Sequence, residues 1–327
     1  MIRHLFLLKN SFKIIISIFF SICFAILICE IALRVKHELI INYDIEMWKY
    51  AKKLKIKSEN PKINHVHKIN SSAILQKVLI STNSYGQRDK RYLKEDLKKY
   101  ERSFLVLGSS VALGWGVEQD KTFTSILNSI SENKEKKWIF VNGGVGNYNT
   151  ERYINNFFEN WSGLPFTDII VHFFVNDTEV SINKKPNFFI EHTHIGVVIW
   201  KLVNSYKSSF KKEKLRDYYA KRYKDNFEGF RIAKKELTRL KKFCKDNEKN
   251  CHLFIMPDIH KLNPYELDFI NKKILNISKE MKYEYLDLLP VFKNQPLEKI
   301  WNDFGDPHPS AFAHKLMADE IFNHLLK

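Results

Sequence analysis

The sequence predicts a three-layer α/β/α fold around a central parallel sheet of five strands, preceded by one transmembrane helix. Two observations lead to this prediction. From Ser103 onward, short apolar runs alternate with longer amphipathic patterns, the order expected of a parallel sheet with helices on both faces. Near the N-terminus, residues 14–33 are almost wholly apolar, with Glu30 as their only charge. At 327 residues the chain is long enough to bury a sizeable core.

The predicted strands and helices follow from the period of the apolar residues. Runs of strand length occupy residues 104–107, 138–141, 169–177, 252–256 and 283–288. Apolar residues at helical spacing mark three helices, through Phe123, Ile126, Leu127 and Ile130, through Phe227, Phe230, Ala233, Leu237, Leu240 and Phe243, and through Ala313, Leu316, Met317, Ile321 and Leu325.

The apolar segment at residues 14–34 is predicted to be an uncleaved membrane anchor after a short tail at 1–13. Twenty residues at a rise of about 1.5 Å each extend about 30 Å, enough to cross the hydrocarbon layer. A cleaved signal peptide or a buried core helix are the alternatives. The segment is long for a signal peptide and lacks a small-x-small cleavage site, which favours the anchor.

The basic residues around this segment do not decide its orientation. They lie on both sides, at Arg3, Lys9 and Lys13 before it and at Arg34 and Lys36 after it. A short tail before an anchor fits an N-terminus inside the cell and an exported domain. We therefore expect a single-pass membrane protein whose main domain is periplasmic or extracellular.

Charge and cysteine content narrow the classes of function. The chain has 53 basic and 37 acidic residues, a net charge of +16, but the lysines are scattered and form no nucleic-acid-binding motif. A solvated lysine-rich surface is the simpler interpretation, and attraction to anionic lipid or glycan is the alternative.

The cysteines and histidines outside the membrane segment leave one question open and argue against a metal site. Cys244 and Cys251 either pair in an oxidising compartment or pack as reduced thiols. His65-x-His67 and His192-x-His194 lack a third ligand, so no metal or cofactor is expected.

The remaining segments are predicted to surround the main domain. Residues 35–100 are polar and mixed and are expected to form a stalk and lead-in, with a helix after Asn42. The main domain occupies residues 101–327. Residues 182–225 form an insertion, either a helical hairpin packed on the core or a cap over a cleft at the carboxyl ends of the strands.

A serine follows the first predicted strand in an abrupt turn. Gly108-Ser109-Ser110 ends the strand in front of a glycine-rich segment and a helix. Such a turn exposes a hydroxyl and leaves backbone N–H groups free to face a developing oxyanion. By itself the turn also suits a phosphate-binding nest or an ordinary loop.

Further segments strengthen the enzymatic interpretation. They are Thr82-Asn-Ser-Tyr-Gly-Gln-Arg88, Val141-Asn-Gly-Gly-Val-Gly-Asn-Tyr-Asn-Thr150, Asn176-Asp177 and Asp306-Pro-His-Pro-Ser310. With the serine turn, their order resembles that of the SGNH hydrolases, the GDSL esterase and acyltransferase family, over about residues 80–327. The resemblance extends to the membrane-anchored, polysaccharide-associated bacterial members. It implies a flavodoxin-like fold and serine-dependent acyl chemistry.

The resemblance implies a role for each site residue. Ser110 is expected to be the nucleophile, His308 its general base and Asp306 the carboxylate that orients the imidazole. Asp303 is the rival carboxylate, because two residues separate Asp and His in most members of the family. The oxyanion donors are expected to be the backbone N–H groups of Ser110 and Gly144 and the side-chain amide of Asn176.

Four aromatic or histidine residues near these motifs are assigned more loosely. His172 is expected to pack in the core and His260 to line the cleft. Trp115 and Tyr148 are either walls of an acyl site or core aromatics.

Four functions are consistent with the sequence. The first is a hydrolase that removes O-acyl groups, most simply O-acetyl, from a carbohydrate or lipid. The second is an O-acyltransferase that uses the same acyl-enzyme to modify an envelope polysaccharide. The third is a non-catalytic glycan-binding module, and the fourth a membrane-anchored scaffold. The complete Ser/Gly/Asn/Asp/His set argues against the third, and the order of the segments argues against the fourth. The first two use the same residues and differ only in the access of water, so the hydrolase is the expectation and the acyltransferase its alternative.

Overall fold

The computed structural model describes residues 2–89, 94–180, 188–209, 213–303 and 305–327. The chain forms two compact units. One unit contains Met1–Trp48 and Lys184–Lys212, and the other contains Lys49–Asn183 and Glu213–Lys327.

The described elements are as follows. The helices are α1 (Ile2–Leu39), α2 (Tyr43–Leu54), α3 (Lys94–Leu97), α4 (Ser110–Leu113), α5 (Phe123–Asn133), α6 (Thr150–Asn156), α7 (Phe188–His192), α8 (His194–Ser209), α9 (Leu215–Arg222), α10 (Glu228–Asp246), α11 (Asp268–Met281), α12 (Leu289–Phe292), α13 (Leu297–Ile300) and α14 (Ala311–Leu325), with a 3₁₀ turn at Gln119–Lys121 and a π-helical turn at Phe157–Trp161. The strands are β1 (Lys55–Lys57), β2 (His65–His67), β3 (Ser72–Leu75), β4 (Val78–Ser81), β5 (Arg102–Gly108), β6 (Trp138–Gly144), β7 (Asp168–Phe174), β8 (Asn250–Met256), β9 (Glu284–Asp287), β10 (Trp301–Asp303) and β11 (Asp306–Pro309).

The central sheet belongs to the larger unit. Within the described residues it contains five strands in the order β6-β5-β7-β8-β9, and every neighbouring pair is parallel. This order is the flavodoxin-like one, so the predicted fold class is confirmed. The order reverses between β5 and β7, and ligands bind outside the carboxyl ends of the strands at such a point.

Helices cover both faces of the sheet, as the predicted three layers require. On one face α6, α10 and α11 bury apolar residues, among them Tyr153, Ile154, Leu237, Leu240, Ile270 and Ile274. On the other face α5 and α14 do so through Phe123, Leu127, Met317 and Ile321. A disulfide joins Cys244, in the last turn of α10, to Cys251 in β8, with the Cα atoms 6.2 Å apart. The structure thus selects the paired alternative for these two cysteines.

Residues from Lys49 to Arg88 differ from the expected stalk, because they fold within the larger unit. Strands β1 and β2 form one antiparallel hairpin, and β3 and β4 form a second. Side chains alternate between buried and exposed along β3 and β4. One face of the second hairpin therefore packs inward, which a separate stalk would not do.

The smaller unit contains α1, the beginning of α2, α7 and α8. Within the described residues, Phe12–Leu39 is the helical segment long and apolar enough to span a membrane, with a mean hydropathy of 2.8 over its most apolar 18 residues. Of the described helices of the insertion, α7 and α8 belong to this unit and α9 belongs to the larger one. The suggested cap over the cleft stays a prediction, and residues 181–187 and 210–212 of the insertion lie outside the described residues.

Candidate active site

Ser110 lies where β5 ends and α4 begins, at the carboxyl edge of the sheet. A Cβ on Gly108, the last residue of β5, would lie 2.8 Å from the Ala112 Cβ, so only glycine fits this turn. Gly144 at the end of β6 is equally close to α4, because a Cβ there would clash with the Leu113 nitrogen. Close backbone packing on two sides thus holds the short helix that begins with Ser110.

His308 lies within hydrogen-bond distance of both Ser110 and Asp306. The Ser110 Oγ is 2.8 Å from His308 Nε2, and His308 Nδ1 is 2.5 Å from Asp306 Oδ1. The same carboxylate oxygen accepts the His308 backbone N–H at 3.2 Å. Asp306 is 2% exposed. A hydroxyl, an imidazole and a buried carboxylate in this order are the arrangement that activates a serine nucleophile.

In the hairpin of β10 and β11, Asp306 rather than Asp303 contacts His308. The two residues are opposite each other in the antiparallel ladder. Asp306 is buried and contacts His308, whereas Asp303 is exposed. Ser310 follows the hairpin and caps α14, since its Oγ accepts the Ala313 N–H at 3.2 Å.

Gln76 is a site residue that the sequence did not reveal. Its Nε2 donates to Asp306 Oδ2 at 3.1 Å, across 230 positions of the chain. Gln76 and Lys77 connect β3 to β4 with φ values of +52° and +64°. A two-residue turn with both φ values positive is usually marked by Asn-Gly, and no such signal is present here. Only the folded chain brings this amide to the carboxylate.

Arg88 supports the turn that follows Ser110. Its guanidinium is fully buried and donates to three backbone carbonyl oxygens, those of Leu113 at 2.9 Å, Gly114 at 2.5 Å and Val117 at 2.6 Å. Burial lowers the pKa of Arg88 to about 10, so the group keeps its charge at neutral pH. A buried cation therefore holds the carboxyl end of α4, which explains the arginine in the lead-in motif.

The groups expected to stabilise an oxyanion differ in availability. Ser110 is the first residue of α4, a position whose N–H has no acceptor inside the helix. Asn176 follows β7 at the carboxyl edge of the sheet, and the part of its side chain that can donate to an oxyanion is the NH₂ group. The Gly144 N–H donates to Asn142 Oδ1 at 2.9 Å and is therefore already engaged. In the same loop the Asn147 N–H, at φ +67°, has no acceptor in the described part of the chain.

His172 and Tyr148 are core residues. His172 is buried, its ring stacks on Phe123 with centroids 5.2 Å apart, and burial lowers its pKa to about 4. Tyr148 is also buried, and its hydroxyl donates to the carbonyl oxygen of His65. Neither residue contacts the Ser110 hydroxyl through a hydrogen bond.

Trp115 and His260 lie closer to the site. The buried Trp115 ring is 6.5 Å from the His308 ring, which makes it a wall beside the base. His260 is exposed and forms a second histidine–carboxylate pair, with its Nδ1 2.6 Å from Asp258 Oδ1. This bond, together with the negative charge of Asp306, raises the pKa of His260.

Of the two His-x-His pairs, His65, His67 and His194 pack against other residues, and His192 is exposed. His65 Nε2 is 3.0 Å from the Gly146 carbonyl oxygen, and His67 Nε2 is 2.6 Å from the Tyr50 hydroxyl. Over the described residues, no group of three or more His, Cys, Asp or Glu side chains is arranged to hold a metal ion.

Comparison with known proteins finds similar chain folds only. No family model matches the chain, and no curated protein matches it. Among solved structures, LAE5, an alpha/beta hydrolase enzyme from the metagenome of Lake Arreo, has a TM-score of 0.46 and 11% identity, covering 69% of this chain and 95% of that one. The esterase EstA from Pseudoalteromonas has a TM-score of 0.44 and 12% identity, covering 69% and 97%. An acetyl xylan esterase from Geobacillus stearothermophilus has a TM-score of 0.45 and 13% identity, covering 69% and 95%.

At these identities and TM-scores, no activity of these proteins is transferred to this chain. Its function is inferred from its own residues.

Proposed function

We propose that the protein is a serine-dependent ester hydrolase of the SGNH type. It acts on O-acyl groups, most simply O-acetyl groups, of a carbohydrate or lipid. The hydrogen-bonded line from Ser110 through His308 to Asp306 carries this proposal. A serine hydroxyl is a poor nucleophile at neutral pH until a base removes its proton, and His308 Nε2 is in position to do so.

In the proposed reaction His308 takes the Ser110 proton while the Ser110 oxygen attacks the ester carbonyl carbon. The negative charge that develops on the carbonyl oxygen is stabilised by the Ser110 N–H, the Asn176 amide and the Asn147 N–H, which takes the place expected of Gly144. His308 then returns the proton to the leaving alkoxide, and an acyl-enzyme remains. Water attacks it with His308 again acting as base, which releases the acid and restores Ser110.

Residues 14–33 are proposed to stay in the mature chain and to hold the larger unit outside the cytoplasm. The length and apolar character of this segment support an anchor. The Cys244–Cys251 disulfide supports an oxidising compartment. The substrate would then be an acylated carbohydrate or lipid on the external side of the membrane.

A fluorophosphonate, which modifies activated serines, tests the nucleophile. In the purified full-length chain we expect labelling that Ser110→Ala abolishes. Ser109→Ala is the matched control, because the adjacent Ser109 is buried and makes no hydrogen bond to His308. Loss of labelling in Ser109→Ala with retention in Ser110→Ala would move the nucleophile one residue upstream.

Assays with acetylated sugars then separate the two acyl reactions. Release of acetate without an acceptor supports the hydrolase. Product formation that requires a polysaccharide acceptor would instead support the O-acyltransferase.

A further inference from the structure

Helix α8 carries an exposed apolar stripe. Leu202 and Val203 lie three and four residues after Ile199, and Tyr206 lies four and three residues after them, so the four residues share one helix face. Their exposed fractions are 50, 63, 46 and 68%, and the neighbouring Trp200 is 50% exposed. Such a stripe normally faces the core of a globular protein, so its exposure requires another apolar environment.

The N-terminus of α8 is attached to the predicted membrane span. Glu30, the only charged residue among residues 14–33, accepts the backbone N–H groups of His194 and Ile195 at 3.1 and 3.0 Å. A carboxylate at this position satisfies two donors that the helix itself cannot pair, and it complements the positive end of the helix dipole. The first turn of α8 therefore lies beside the carboxyl-terminal third of α1.

Further contacts place the rest of α8 near the end of the span. Lys201 forms an ion pair with Asp44, which lies beyond the end of α1 at Leu39. The His194 ring packs edge-on against the His37 ring, at a centroid distance of 5.7 Å. These contacts keep α8 beside the last turns of α1, from Glu30 near the end of the predicted span to Leu39, about 9 Å beyond residue 33. This is the depth of the polar headgroup region that borders the hydrocarbon layer.

We propose that α8 is a second membrane-contacting element, which lies in the interfacial layer of the bilayer beside α1. Its apolar stripe enters the acyl chains, and its polar face, with Lys201 and Asn204, stays in water. Because the Glu30 hydrogen bonds attach α8 to the predicted membrane span, lipid is the partner that covers the apolar stripe. Trp200 and Tyr206 are residue types enriched at membrane interfaces, and amphipathic helices of this kind bury their apolar face about 5–10 Å deep. The proposal rests on the membrane anchor proposed above.

Spin labels on the full-length chain in phosphatidylcholine–phosphatidylglycerol vesicles test this proposal. The native free cysteines are first removed by Cys23→Ala and Cys29→Ala. Single labels are then introduced at Val203→Cys and Leu202→Cys on the stripe, and at Asn204→Cys on the opposite face of the same helix. Collision rates with oxygen, which concentrates in lipid, and with a water-soluble nickel chelate report the surroundings of each label.

Two further labels provide the references. Phe20→Cys reports the span itself, and Leu79→Cys reports an exposed apolar position on β4 of the larger unit. We expect oxygen to dominate at 20, 202 and 203, and the nickel chelate to dominate at 79 and 204.

Three outcomes would overturn the proposal or separate it from the anchor. Nickel access at 202 and 203 with oxygen access at 20 overturns the interfacial helix and leaves the anchor standing. Protection of 202 and 203 from both reagents also overturns it, because a second protein copy would then cover the stripe. Nickel access at 20 refutes the anchor and, with it, the placement of α8 beside a membrane span.

Discussion

Replacement of Asp306 by Asn tests the proposed catalytic line most directly. Asp306 Oδ1 accepts both the His308 Nδ1–H and the His308 backbone N–H, and Oδ2 accepts the Gln76 amide. Asn has the same shape, so the buried side chain fits its site. One carboxylate oxygen, however, becomes an NH₂ group that donates hydrogen bonds.

The new amide can meet His308 with either end. With its oxygen toward His308, which the His308 backbone N–H favours, the imidazole keeps its tautomer and loses only the negative charge beside it. With its oxygen toward Gln76 Nε2, the NH₂ group faces His308. His308 must then accept at Nδ1, which puts its proton on Nε2, facing Ser110. In this tautomer the imidazole cannot take the serine proton, and the charge that stabilised the imidazolium is gone.

We expect Asp306→Asn to lower kcat about ten-thousand-fold, which corresponds to about 5.5 kcal/mol of lost transition-state stabilisation. Hydrolysis of p-nitrophenyl acetate measures kcat and KM, and circular dichroism checks that the fold is retained. His308→Ala should be at least as damaging, and the double variant no worse than the worse single one, because the residues act as one unit.

Asp303→Asn is the matched control, since it makes the same change on the exposed side of the hairpin, and it should leave kcat within a few-fold of wild type. A loss of less than tenfold in Asp306→Asn would refute the assigned role of Asp306. An equal loss in Asp303→Asn would assign the carboxylate to the upstream residue.

The remaining predictions concern stability. Burial raises the pKa of Asp177 to about 8 from its usual 3.8, so between these values the folded chain holds a proton that the unfolded chain has released. The free energy of unfolding of the wild type should therefore fall by up to about 1.4 kcal/mol per pH unit from this group. In thermal melts between pH 5 and 8, Asp177→Asn should become more stable relative to the wild type as the pH rises. A difference in stability between the two proteins that does not change with pH would contradict this. Arg88→Lys should lower the free energy of unfolding by about 2–4 kcal/mol, since one ammonium cannot serve three carbonyl groups, and an unchanged melting temperature would argue against that support.

The order of strands and helices was predictable because it depends on local patterns. The apolar runs of β5 to β8 lie in a parallel sheet that is covered by helices on both faces. Most of their side chains are therefore buried, and each strand appears as a short apolar run. The tight turn at Gly108 was likewise visible, because close backbone approach requires glycine there. Segments exposed on one face, such as β3 and β4, gave weaker signals, and the sequence suggested a stalk.

By itself the sequence determined the α/β/α fold, the apolar N-terminal helix and the residue types of the serine turn and the Asp-x-His turn, because these depend on neighbours close in the chain. Only the tertiary structure decided which atoms meet. It brought His308 to Ser110 and Gln76 to Asp306, engaged the Gly144 N–H with Asn142, and attached α8 to Glu30. Apart from the Asn142–Gly144 bond, which spans two residues, these contacts join residues far apart in the chain. Their geometry is set by the packing of whole elements, which no local pattern of residues records.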